Sequence, residues 1–214
     1  MQAITMKARW RLEEILNAVT HGIGTALAVA ALTAMLLLYY NDGVYHLTSC
    51  LIYGGSLILL YLASTLYHSF SNERVKAVFK FIDHAAIYVV IAGSYTPFCL
   101  ISLRGPWGWW LFAIVWSLAV IGMLQEIKPR SDARIMSLVI YAVMGWVIVV
   151  AVRPLLDHLA IAGFVWLALG GALYTVGIVF YAFDSRFRHW HGIWHLFVIG
   201  GSLAHYLAIA LYVV

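Results

Sequence analysis

Apolar residues fill most of this chain in seven long runs that short polar connectors separate. The runs occupy residues 20–40, 46–67, 81–102, 107–124, 134–152, 159–182 and 191–213. Each is close to the ~20 residues that an α-helix needs to cross ~30 Å of hydrocarbon. The pattern predicts an all-α polytopic membrane protein, a bundle of seven transmembrane helices. Pro97 is the only proline inside a run, and it should kink the third helix.

The composition agrees with this fold class and excludes a soluble globular protein. The chain is 64% hydrophobic and 10% charged, whereas a soluble domain carries about 25% charged residues. The connectors, such as residues 71–74, 104–106 and 128–130, are too short to hold a second domain. We therefore expect residues 1–214 to form a single seven-helix membrane domain, with residues 1–19 as a cytosolic amphipathic entry segment.

The positive charges predict how the bundle is oriented, because short cytosolic loops are enriched in lysine and arginine. Eleven fall on one side of the predicted spans, and they are Lys7, Arg9, Arg11, Arg74, Lys76, Lys80, Lys128, Arg130, Arg134, Arg186 and Arg188. Only Arg104 and Arg153 fall on the other side. The N-terminus should be cytosolic and the C-terminus outside. The net charge of +4 is then explained by loops that face anionic lipid, so no nucleic-acid partner is expected.

Several side chains with metal-binding or acid–base chemistry are predicted to lie at one depth in the bundle. They are Ser64, His68, Asp83, His191 and His195. Counted from the outer ends of their helices, the histidines His68 and His195 and the carboxylate Asp83 lie 19 to 22 residues in, about 28 to 33 Å along a helix. That depth is the cytosolic boundary of the membrane.

The spacing within these helices favours a metal site. Ser64 and His68 are four residues apart, as are His191 and His195, so each pair shares one helix face. Three neutral imidazoles with one open position are a common catalytic zinc arrangement. Zinc is the predicted cofactor, with the three histidines as ligands and Asp83 placed to orient or deprotonate a bound water. Each histidine alone could be an ordinary interfacial residue, so the prediction depends on their combination.

The first helix adds Glu14, Asn17 and His21, whose spacing of three and then four residues places them on one face. They could close the cytosolic mouth of a cavity or hydrogen-bond to groups behind the metal ligands. An equally open interpretation is that they belong to the amphipathic entry segment.

The remaining histidines and the cysteines are expected to be structural. His84 points away from the Asp83 face, and His189 lies in a basic loop. His205 lies about 15 Å deeper than the metal site, so a buried hydrogen-bonding role is expected. Cys50 and Cys99 fall near outer helix ends, where a disulfide is conceivable but buried free thiols are favoured.

Four strings resemble motifs of the bacterial hemolysin III family. They are Glu14-x-x-Asn17-x-x-Thr20-His21-Gly22, Ser64-x-x-x-His68, Phe81-Ile82-Asp83-His84 and His191-Gly192-Ile193-Trp194-His195-Leu196-Phe197. That family is grouped with the progestin and adipoQ receptors and, more distantly, the alkaline ceramidases. The resemblance covers nearly the full length. It implies a multi-pass protein of the bacterial inner membrane, with zinc held by the three histidines and with Ser64 and Asp83 beside the bound water.

Resemblance to a family fixes function poorly, and three functions stay open. The first is a zinc-dependent hydrolase of a lipid amide or ester, with membrane lipid as substrate and Asp83 and Ser64 as catalytic residues. The second is a receptor-like regulator of membrane homeostasis with a structural zinc. The third is a pore-forming hemolysin, against which the scarcity of charges within the spans argues.

Overall fold

The structure, a computed structural model, describes the backbone of residues 2–127 and 133–214 and the side chains of residues 11–127 and 134–214. The predicted connector 128–130 and the side chains of Lys7 and Arg9 lie outside these ranges. Within them, every regular secondary-structure element is a helix, and there is no strand.

Eight α-helices and two short irregular helices make up the described chain. The α-helices are α1 (Gln2–Tyr39), α2 (Val44–Ser69), α3 (Glu73–Pro97), α4 (Pro106–Glu126), α5 (Ala133–Trp146), α6 (Val152–Leu156), α7 (Ile161–Phe183) and α8 (Trp190–Tyr212). A π-helix, Phe98–Ser102, extends α3, and a 3-10 helix, Val147–Ala151, joins α5 to α6. With these joined segments counted as one span each, the described residues contain 7 spans that are long and apolar enough to cross a membrane. The predicted fold class is confirmed.

Two helices begin many residues before their apolar runs. Helix α1 begins at Gln2 and α3 at Glu73, so the residues at positions 73 and 74, which the sequence placed in a connector, are helical. The side chain of Asn72 caps α3 by accepting hydrogen bonds from the backbone N–H groups of Arg74 and Val75. Hydropathy detects only the part of a helix that lies in hydrocarbon, so polar extensions escape it.

Pro97 ends α3, and the chain continues directly into the π-helix. Because proline has no N–H to donate, the regular α-helical hydrogen-bond pattern is interrupted here. The kink that the sequence predicts at Pro97 stays a prediction. The chain then turns, and Pro106 begins α4 at a position where the missing N–H costs nothing. Cys50 and Cys99 are both buried, free thiols.

The helices pack in a closed order that brings three inner helix ends together. Contacts run from α1 through α2, α3, α4, α5 and α7 to α8, and α8 packs back against α1. Two tyrosines of α2 tie it to α8: the Tyr61 hydroxyl donates to Ser202 Oγ at 2.7 Å, and the Tyr53 hydroxyl donates to the Ser202 carbonyl at 3.2 Å. The C-terminal end of α2 and the N-terminal ends of α3 and α8 therefore meet at one end of the bundle. We call it the basic end, because it carries most of the lysine and arginine residues.

Candidate metal centre

Three histidines from two helices converge at this end of the bundle. His68 lies in the last turn of α2, and His191 and His195 lie one turn apart at the start of α8. Each can offer a ring nitrogen such that the three atoms lie within 4.8 Å of one another. His195 is fully buried, His68 is 7% exposed and His191 is half-buried. The predicted convergence of these three side chains is present in the structure.

The Nδ1 atoms of two of these histidines bind carboxylates. His68 Nδ1 lies 3.1 Å from Glu14 Oε2, and His191 Nδ1 lies 2.8 Å from Asp184 Oδ2. Burial alone would raise the pKa of the Asp184 carboxyl, but its bonds to His191 and Arg134 hold that pKa below its ordinary value. Asp184 is therefore ionised at neutral pH and accepts a hydrogen bond from His191.

The remaining ring nitrogens of the three histidines have no such partner. Among the described residues, no group hydrogen-bonds to Nε2 of His68, to Nε2 of His191 or to either ring nitrogen of His195, although all four atoms are buried. A buried polar atom without a partner costs about 1–3 kcal/mol. A divalent cation bound by one nitrogen of each ring would remove this cost, so the donor set fits a metal ion.

The two predicted catalytic residues lie beside the histidine cluster. Ser64 is fully buried one turn before His68, and Asp83 on α3 is 3% exposed. The Asp83 carboxyl is close enough to His191 for their charges to interact, and no described residue hydrogen-bonds to the buried Ser64 hydroxyl. Two groups that can take part in proton transfer and hydrogen bonding are thus buried next to three metal-capable rings.

The polar face of α1 turns toward this site. Glu14 binds His68, Asn17 is 8% exposed, and His21 is 1% exposed. The His21 ring stacks on His195, with ring centroids 3.5 Å apart and planes 15° apart. His21 is nevertheless not among the three residues whose nitrogens converge. The face predicted for these three residues is present, and it adjoins the cluster.

Two histidines that the sequence set aside lie apart from the cluster. His84 Nδ1 lies 3.6 Å from Glu126, and His189 Nδ1 lies 3.5 Å from Glu13. His205 is buried, with Nε2 3.2 Å from the Leu167 carbonyl, which fits the expected hydrogen-bonding role.

Sequence reasoning did not identify Asp184, Lys76 and Arg134 as neighbours of the site. Lys76 Nζ lies 2.7 Å from Glu14 Oε2, and Arg134 Nη2 lies 2.5 Å from Asp184 Oδ1. Asp184 follows the end of α7 in a turn segment, where no helical periodicity links it to His191. From the sequence, Lys76 and Arg134 were expected only to help orient the protein in the membrane.

A cavity of about 1320 Å³ opens beside the cluster. His68 and His191 line it, and so do the basic residues Lys80, Arg186 and Arg188. Leu16 of α1 and Leu196 of α8 also line it and are 48% and 60% exposed on the bundle surface. The cavity thus opens from the cluster toward the basic end of the protein and toward exposed apolar side chains of α1 and α8.

Fold and site together define a seven-span integral membrane protein with a three-histidine cluster at one end of the bundle. The chain belongs to the Haemolysin-III related family, whose family model matches residues 9–206. The hemolysin-3 homolog of Bacillus subtilis is 46% identical over 203 residues, covering 94% of this chain and 95% of that protein. Hemolysin-3 of Bacillus cereus is 42% identical, covering 99% of this chain and 97% of that protein.

The similarity extends to an animal protein. The human monocyte to macrophage differentiation factor is 30% identical over 203 residues, which is 92% of this chain and 83% of that protein. The family expected from the four motifs is confirmed.

Proposed function

We propose that this protein is a zinc-dependent hydrolase of a lipid amide or ester, acting at the cytosolic face of the bacterial inner membrane. The observation that carries the proposal is the buried group of three unpartnered imidazole donors with Asp83 and Ser64 beside them. His68, His191 and His195 would hold the zinc. When bound, the ion would polarise the scissile carbonyl and lower the pKa of a water molecule.

The residues of the chain would then carry the proton and stabilise charge. Water adds to the carbonyl carbon, and Asp83 accepts the proton that the water loses. The Ser64 hydroxyl donates a hydrogen bond to the carbonyl oxygen as it becomes negatively charged. Asp83 returns the proton to the leaving nitrogen or oxygen as the C–N or C–O bond breaks, and a free fatty acid is released.

The position of the cavity supports a lipid substrate. Leu16 and Leu196 lie on the outer surface of the bundle and also line the cavity, so an acyl chain could enter between α1 and α8 without leaving the membrane. The basic side chains around the mouth support a cytosolic position for this end, because cytosolic loops are enriched in lysine and arginine.

The test is the change of Asp83 to Asn in the full-length protein purified in detergent. The amide keeps the size of the side chain but cannot accept the proton, so we expect fatty-acid release to fall by roughly 10²–10⁴-fold. Release from a panel of lipid amides and esters would be measured by mass spectrometry, and bound zinc by elemental analysis.

Asp157→Asn is the matched control, because Asp157 is exposed in the connector between α6 and α7. The control should release fatty acid as the unmodified protein does. Zinc content should be the same in all three proteins. Equal release by Asp83→Asn and the unmodified protein would refute the role of Asp83, and no release by the unmodified protein from any lipid of the panel would refute the hydrolase proposal.

A further inference from the structure

Two carboxylates stand directly behind the histidine cluster, one behind each of two rings. Glu14 reaches His68 from α1, and Asp184 reaches His191 from the turn after α7. Each contact joins the Nδ1 atom of the ring. Neither carboxylate has an oxygen among the converging ligand atoms.

Both carboxylates are held in place by a second bond. Lys76 of α3 donates to Glu14 at 2.7 Å, and Arg134 of α5 donates to Asp184 at 2.5 Å. Arg134 also donates to the Tyr181 carbonyl and lies over the Tyr181 ring, 4.5 Å from its centroid. The carboxylates are therefore fixed by groups on helices other than those that carry the histidines.

These contacts decide which ring nitrogen carries the proton. An ionised carboxylate only accepts hydrogen bonds, so Nδ1 beside it must be the donor, and in the neutral imidazole that a metal ligand must be, Nε2 carries no proton. The lone pair is then on Nε2. In both His68 and His191, Nε2 is the buried atom that no described residue hydrogen-bonds. The two contacts thus leave each ring with one buried nitrogen, Nε2, that is free to bind a metal ion.

We infer that Glu14 and Asp184 are positioning residues of the metal centre. They fix His68 and His191 as the Nδ1–H tautomers, set the ring orientations and increase the basicity of Nε2. Lys76 and Arg134 position the carboxylates in turn. This inference rests on the proposed metal site but not on hydrolysis, and it gives α1 a defined contribution to the site through Glu14.

The neighbouring glutamate provides a matched control. Glu13 also forms an ion pair, with Arg188 at 2.8 Å, and it lies 3.5 Å from a histidine, His189. That histidine is outside the cluster. A change at Glu13 therefore removes the same charge from the same helix and breaks a similar ion pair without touching a proposed metal ligand.

The experiment measures zinc affinity by competition with a chromophoric chelator, using full-length protein in detergent. Glu14→Gln and Asp184→Asn should each weaken zinc binding by about 10–100-fold, the usual effect of losing such an outer carboxylate. Glu13→Gln should bind zinc as the unmodified protein does. Unchanged affinity in Glu14→Gln and Asp184→Asn would overturn the inference, as would an equal loss in Glu13→Gln.

A second measurement needs no metal and separates this inference from the proposed function. The ¹⁵N shifts of histidine side chains in metal-free protein report which ring nitrogen is protonated. We expect His68 and His191 to be Nδ1–H tautomers, with Glu14→Gln altering only the signals of His68 and Asp184→Asn only those of His191. Nε2–H tautomers in the unmodified protein would overturn the inference even if zinc binds. If the protein bound zinc as expected but hydrolysed no lipid, the positioning roles of Glu14 and Asp184 would still hold.

Discussion

At the scale of single residues, the sequence predicted the groups that converge, but of the groups that hold them it named only Glu14. Helix length and i, i+4 spacing were enough to place His68, His191 and His195 at one depth, because a straight helix turns residue number into distance. Asp184 could not be found in this way, since it lies in a turn whose path depends on how α7 and α8 pack. Lys76 reaches Glu14 only through its long, flexible side chain.

His21 provides a prediction at this scale, because it touches the cluster without joining it. Its ring stacks on His195, yet no described residue hydrogen-bonds to either of its nitrogens. A phenyl ring would keep the stacking and remove two buried unsatisfied atoms. We expect His21→Phe to keep about one zinc per chain and to melt at a temperature no lower than the unmodified protein, as measured by elemental analysis and thermal unfolding.

The same substitution at the stacked neighbour, His195, is the control. His195→Phe removes a converging nitrogen and should lose the zinc, although the change in volume is identical. If His21→Phe lost its zinc as well, His21 would have to be counted as a ligand.

At the scale of helices, hydropathy predicted the number and order of spans but not their irregular parts. The fifth span changes from α5 to a 3-10 helix at Val147. Here the Tyr95 hydroxyl of α3 accepts the N–H of Ile148 at 3.0 Å and donates to the Met144 carbonyl at 2.7 Å. The interruption is stabilised by a contact with another helix, and no local pattern encodes that contact.

The start of α4 provides the prediction at this scale. A Cβ atom at Gly108 would lie 2.0 Å from the Cys99 carbonyl oxygen and 2.6 Å from the Leu103 carbonyl oxygen. Both are backbone atoms of the π-helix and the turn after it, so they cannot rotate away. We expect Gly108→Ala to destabilise the protein by about 1–3 kcal/mol or more, as other overpacked sites do, and to lower its thermal midpoint in detergent.

Gly55 on α2 is the matched control. A Cβ atom there meets nothing within 4 Å, and alanine favours the helix over glycine. Gly55→Ala should melt at or above the temperature of the unmodified protein. If the Gly108→Ala and Gly55→Ala proteins melted at the same temperature, the packing of the π-helix against α4 would be looser than described.

At the scale of the whole molecule, the bundle concentrates its polar chemistry at one end. The residues that line the large cavity all come from the basic end, where the positive-inside rule places the cytosol. The opposite half is filled by large buried side chains such as Phe98, Leu111, Leu155 and Ile209. This distribution suits a site that a membrane lipid reaches from one leaflet, and it opposes a continuous aqueous pore.

The metal content of the purified protein is the most direct test of whether the three histidines bind zinc. Unmodified protein, His68→Ala and His191→Ala would be dialysed against a weak chelator and analysed for bound metals. We expect about one zinc per chain in the unmodified protein and a loss of zinc in both variants, because each variant removes one of the three converging nitrogens. A metal-free unmodified protein, or variants that keep their zinc, would contradict this expectation.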